Sequence, residues 1–198
     1  MEASGLQEIS NPAGLFLEER SNDASGSVVC ACLEGNRPIL VEVQALVAKT
    51  PYGMPRRTAV GFDYNRVTML LAILERRLGM DFGAYDAYVN VVGGMRVTEP
   101  AADLAVAAAL VSSYRNRPIP HGVLVMGEVG LTGEVRRIGS PERRIKDAMN
   151  LGFKRFVLPM GKLSLDEPAM VLCRLKLWKK RWIRFLLKRA EETSVSFK

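Results

Sequence analysis

Arginine is the side chain with most chemistry to offer in this sequence. Arg56 and Arg57 precede a Thr58-Ala59-Val60-Gly61 run, Arg66 falls inside a helical pattern, and Arg76-Arg77 close that pattern. A guanidinium group stays charged and grips phosphate oxygens in a bidentate fork. Arg56, Arg57, Arg66, Arg76 and Arg77 are therefore candidates for phosphate contact, the candidate DNA-binding residues should the partner be nucleic acid. Their alternative is a solvated face, or ion pairs with Asp63, Glu75 or Asp81. A second basic cluster, Arg136-Arg137, Arg143-Arg144 and Lys146, is better suited to a structural ion pair than to nucleic acid. Arg144 is expected to pair with a nearby carboxylate, with Asp103 the candidate.

Other chemistries find less support. Cys30 and Cys32 share one face of a strand-like run and read as buried thiols. Three cysteines, an odd number, argue against a disulfide framework, and the lone His121 lies between Pro120 and Gly122 in a loop. No metal site is expected. Lys49-Thr50 imitates the end of a P-loop, but no glycine loop precedes it and Pro51 follows. The expectation is a chain that binds no cofactor and does not hydrolyse ATP.

The elements that must hold these groups alternate in type. Val28 to Leu33 and Ile39 to Ala48 are β-rich runs around the turn signal Glu34-Gly35-Asn36-Arg37-Pro38, which predicts a hairpin. Arg57 to Phe62 reads as a further strand. Val67, Leu70, Leu71, Leu74 and Leu78 recur at helical spacing, placing a helix over 65–78. Tyr88 to Val92 is a strand, Glu99 to Tyr114 an alanine-rich helix, and Gly122 to Met126 a strand. Pro141 to Leu151 predicts a helix and Arg155 to Leu158 a last strand. The order implies an α/β fold, a two-layer domain of mixed sheet and packed helices.

The chain has 198 residues and a formal net charge of +7. Eight basic residues and no acidic ones fall between Arg174 and Arg189, so the rest of the sequence is near neutral and the basic balance belongs to the tail. Leu175, Trp178, Trp182, Phe185 and Leu186 would share one face of a basic amphipathic helix there. Such a helix suits a membrane surface, a protein groove or nucleic acid, or is an extension without a role. No apolar run approaches the length of a membrane span, and no leader peptide is recognisable.

The stretch from Thr98 to Lys146 carries a more specific signal. Glu99-Pro100-Ala101-Ala102-Asp103, Met126-Gly127-Glu128-Val129, Thr132-Gly133-Glu134-Val135, Ile138-Gly139 and Arg143-Arg144-Ile145-Lys146 stand in an order that resembles the Lon proteolytic domain. The wording of Leu6 to Pro12, Arg37 to Val47, Arg56 to Gly61, Asn65-Arg66 and Val89 to Gly94 is similar to the C-terminal part of the RadA/Sms DNA repair family. Together these cover roughly positions 5 to 159.

The resemblance implies a Lon-protease-like domain over 27–160, a lead-in over 1–26 and a divergent tail over 161–198. It also implies that Ala101 stands at the nucleophile position and Arg144 at the position of the basic lysine. A methyl group cannot attack a carbonyl, and arginine has no lone pair to act as a base. Lys146 lies ~200° around the helix from Arg144. The expectation is therefore no enzyme: a pseudo-peptidase, with the family's ATPase and zinc parts missing. By the same resemblance the partners are DNA, single-stranded or branched, and further copies in a homo-oligomeric ring, in a bacterial cytoplasm or an organelle. The alternatives are an active Lon-like serine peptidase with a relocated base, or a membrane- or protein-docking module using the tail.

Overall fold

The computed structural model describes residues 24–51, 53–165 and 171–175. Strands β1 (Ser27–Glu34) and β2 (Arg37–Lys49) form the expected hairpin, paired from Glu34↔Arg37 to Ser27↔Gln44. After β3 (Arg57–Val60) comes α1 (Tyr64–Leu78), capped by the Asp63 carboxylate accepting from the Arg66 amide at 2.8 Å. Left-handed Gly79 ends the helix. Then follow β4 (Tyr85–Val91), α2 (Asp103–Tyr114), β5 (Val123–Val125), the small hairpin β6 (Glu128–Val129) and β7 (Val135–Arg136), α3 (Pro141–Asn150), β8 (Arg155–Pro159) and β9 (Val171–Leu175).

Among the described residues seven strands make one mixed sheet in the order β3-β4-β2-β1-β5-β8-β9. The β1/β2 and β2/β4 pairs are antiparallel, and β3/β4, β1/β5, β5/β8 and β8/β9 are parallel. Strand alternation sends β1 side chains to two cores. Val28, Cys30 and Cys32 join the core beneath α1 and α2, whereas Val29 and Ala31 join Ile145 and Ala148 of α3 with Leu124 and Phe156. The two-layer expectation thus holds over only part of the sheet. Helices cover both faces over β1, β5 and β8; on the outer strands β2, β4 and β3, the face opposite α1 and α2 carries exposed Gln44, Leu46, Thr58, Val60 and Asn90.

Two sequence expectations change at the C-terminal side. Residues 171–175 add a seventh strand, so Arg174 and Leu175 lie in β9 and not in a helix. The rest of the expected amphipathic helix, from Lys176 onward, lies outside the described residues, as do residues 1–23 of the lead-in expected over 1–26. Among the described residues no helix is long and apolar enough to cross a membrane.

Gly26 shows how tightly the sheet margin is set. Its φ is +92°, its carbonyl accepts from the Ala45 amide at 2.8 Å, and a Cβ there would lie 2.1 Å from the Ala45 carbonyl oxygen. Gly26→Ala must therefore both strain the backbone and push β1 from β2. The expected result is a cooperative unfolding midpoint lowered by several degrees, on the order of 2 kcal/mol or more, read by thermal circular dichroism.

Candidate functional site

The turn Glu99-Pro100-Ala101-Ala102-Asp103 organises the charged residues. Pro100 opens a single 3-10 turn (Pro100–Ala102), where its missing amide hydrogen leaves no bond unmade, and α2 starts at Asp103. The turn aims two carboxylates at two different arginines. Glu99 accepts from the Leu33 amide at 2.8 Å and from Nη1 of Arg144 at 2.9 Å, with Nη2 of Arg144 closing a bidentate pair. Arg144 is fully buried and also donates to the carbonyls of Ala31 (2.6 Å) and Gly139 (2.9 Å). One guanidinium thus fastens α3 and β1 to the turn before α2.

Asp103 is not the partner of Arg144. Arg144 rides on α3, on one side of the sheet, while Asp103 opens α2 on the other. Asp103 instead takes a bidentate pair from Nε and Nη2 of Arg66 on α1, plus the Val129 amide at 3.1 Å. Its burial pushes the carboxyl pKa up, and the bonds from Arg66 and Val129 only partly offset that. The same pairing raises Arg66 above the ordinary arginine value. Ala101, also buried, contributes only a methyl side chain and a carbonyl that accepts from Gly127 at 2.7 Å.

Of the five candidate DNA-binding arginines, two have other work. Arg57 donates to the carbonyls of Phe82 (2.7 Å), Tyr85 and its neighbour Arg56 (3.1 Å), tying β3 to the loop before β4. Arg66 is held by Asp103, with about a quarter of its side chain exposed (28%). Arg56 is exposed at the start of β3, where its amide donates to Asp86 at 2.8 Å. That bond and the Thr50 hydroxyl hold the Asp86 carboxyl below its ordinary value. Arg76 and Arg77 are exposed in the last turn of α1, where positive charge also suits the helix dipole. The Arg77 stem runs along Gly133 of the β6–β7 turn: a Cβ on Gly133 would meet Arg77 Cγ at 3.1 Å.

The second basic cluster does not act as a unit. Arg136 pairs with Glu134 at 2.6 Å and Glu128 at 3.7 Å, Arg143 donates to the Asn36 side chain at 2.7 Å, and Lys146 is exposed. Thr132 and Arg136 hold the Glu134 carboxyl down to about 2. Between α1 and the β6–β7 hairpin these residues border a cleft of about 340 Å³, with the Arg66–Asp103 pair on one wall and exposed Leu131 at its lip. The sulfurs of Cys30 and Cys32 lie 3.7 Å apart; that contact and burial push the Cys30 thiol well up. Among the described residues no group of ligands is arranged to hold a metal ion. Glu99 was missed as a site residue. Its signal was its position, one residue before Pro100 and four before Asp103.

Residues 44–162 match the family model described as subunit ChlI of Mg-chelatase, and the chain belongs to that family. Among curated relatives it is 52% identical over 160 residues to the DNA repair protein RadA of Halalkalibacterium halodurans, covering 80% of this chain and 35% of that protein. It is 50% identical over 164 residues to the RadA of Bacillus subtilis (83% and 36%), and 50% over 169 residues to that of Pseudomonas aeruginosa (85% and 37%). The chain spans about a third of the length of these relatives.

These matches correct one expectation outright. A chain that is no enzyme and is stripped of its family's ATPase does not agree with a match to the ChlI subunit family, which points to an ATPase-type region and overlaps the stretch shared with RadA. The expectation rested on the lack of a glycine loop beside Lys49-Thr50. That is a test of one local motif, whereas family membership is carried by the pattern over the whole stretch.

Proposed function

We propose that this chain serves DNA repair of the RadA/Sms type, within an ATPase-type protein, as a Lon-like unit that contacts DNA and joins subunits into a ring. The observation that carries the reading is the identity of about half the aligned residues with proteins named DNA repair protein RadA, over four-fifths of the chain. The two-sided packing of sheet and helices and the turn at Ala101 are compatible with the Lon-like part. In this reading the DNA contact falls to Arg56, Arg76 and Arg77, which are exposed, while Arg57 and Arg66 are engaged by the carbonyls of Phe82 and Tyr85 and by Asp103.

Fluorescence anisotropy with a single-stranded oligonucleotide across a salt series tests it. Each phosphate contact on a single strand adds about 0.7 to the slope of log affinity against log salt. The Arg56→Ala/Arg76→Ala/Arg77→Ala variant should bind at least tenfold more weakly at low salt, with a slope shallower by about 2. Unchanged binding in that variant, with loss on replacing Lys179, Lys180 and Arg181 by glutamine, would assign DNA affinity to the tail and refute the placement. Light scattering across a concentration series reads the ring.

A further inference from the structure

Strand β3 ends the sheet with one side unused. Among the described residues its only strand neighbour is β4. The parallel register fixes where its backbone groups point. The Ala87 amide donates to the Arg56 carbonyl at 2.9 Å, so Arg56, Thr58 and Val60 turn their bonding groups to β4. The amides and carbonyls of Arg57 and Ala59 point outward and have no backbone partner among the described residues. Such a row of free groups is a template for another strand. Little on β3 discourages one: Thr58 and Val60 are exposed, and Arg56 is the one charge on their face. Arg57 lies in the other strand phase, engaged by the carbonyls of Phe82 and Tyr85.

The free groups are self-complementary. Two β3 strands laid antiparallel about Thr58 set Arg57 opposite Ala59 twice, and the outward groups of these residues exchange hydrogen bonds on both sides of the axis. Thr58 then faces Thr58 of the second copy as the pair without hydrogen bonds, with Cα atoms about 4.5 Å apart. Arg56 falls beside Val60 of the second copy, so like charges do not meet. The aliphatic stem of the arginine covers a valine that is 54% exposed in the single chain. The pairing also has natural limits. Pro55 has no amide hydrogen to add, and the Gly61 carbonyl already accepts from Val97 at 2.8 Å. A foreign peptide would meet the same backbone groups, but the twofold arrangement of charge and small side chains is matched by β3 itself.

We propose that β3 is a contact between two copies of this chain, paired antiparallel about a twofold axis at Thr58. The bare faces bearing Leu46, Val60 and Tyr88, each with its groove of about 520 Å³, then lie side by side on one continuous sheet. A twofold contact joins two chains and leaves no place for a third, so it is separate from any contact that closes a ring and stands apart from the DNA-repair reading. Disulfide trapping in the full chain tests both the contact and its register. Thr58→Cys should give a covalent dimer under mild oxidation, because a Cα separation of about 4.5 Å suits a disulfide. Arg56→Cys and Val60→Cys should give none alone, yet should link to each other when the two variants are mixed. All three side chains are exposed, so the fold is retained, and the wild type, whose Cys30, Cys32 and Cys173 are buried, sets the background. Absence of the Thr58→Cys dimer overturns the proposal. So does equal trapping of all three variants alone, which is the mark of random collision. Failure of the mixed Arg56→Cys and Val60→Cys pair to link excludes this register and with it the proposal.

Discussion

Glu99→Ala is expected to destabilise the fold by about 3–5 kcal/mol, because it leaves the fully buried Arg144 guanidinium without its counter-charge. Two carbonyls would remain, those of Ala31 and Gly139, but neither carries a full charge. The Leu33 amide would lose its acceptor at the same time. The reverse substitution is not symmetrical. Arg144→Met removes the buried charge and fills part of its volume, and Glu99, with a quarter of its side chain exposed, can be solvated. Chemical denaturation of both variants should give the larger loss for Glu99→Ala. An equal or larger loss for Arg144→Met would show that the clamp is worth more as packing and carbonyl bonding than as charge neutralisation.

Arg66→Met isolates the other half of the turn and should change the pH dependence of stability as well as its size. Asp103 is 1% exposed as a side chain and would keep only the Val129 amide, so a loss of about 3–5 kcal/mol is expected near neutral pH. The folded-state pKa of Asp103 is already raised by burial, and loss of the guanidinium raises it further. Between the unfolded value of about 3.9 and that raised value, the folded chain holds a proton that the unfolded chain has released. Stability contributed by this group is therefore complete below the unfolded pKa and falls as pH rises through the folded one. Denaturant midpoints across pH 4 to 8 should decline more steeply with rising pH in Arg66→Met than in the wild type. A variant that gains stability over the same range would contradict the assignment of Asp103 as the burdened partner.

The local elements were legible because local rules determine them. Glu34 to Pro38 spelled a turn, and β1 and β2 flank it; the spacing from Val67 to Leu78 spelled α1. Which carboxylate meets which arginine was not legible. Glu99 and Asp103 are four residues apart, and it is a 3-10 turn, followed by the placement of α2 and α3 on opposite faces, that sends them apart. Arg57 and Arg66 looked like surface charges for the same reason: their partners are the carbonyls of Phe82 and Tyr85 and the carboxylate of Asp103, groups brought near only by tertiary structure. β9 is hidden in the sequence because Val171 to Leu175 borders a run of basic residues whose periodicity suggests a helix.

The strand order also sets an order of completion during synthesis. The neighbours β3, β4, β2 and β1 all come from residues 27–91, so half the sheet can pair before the rest of the chain has left the ribosome. β1 then offers an open parallel edge until Val123–Val125 arrives to pair Leu124 with Val29. An unpaired hydrophobic edge is a template for wrong partners. The interval between emergence of β1 and that of β5 is thus the period in which this chain most needs a chaperone, and slowing elongation across residues 92–122 should raise its tendency to aggregate.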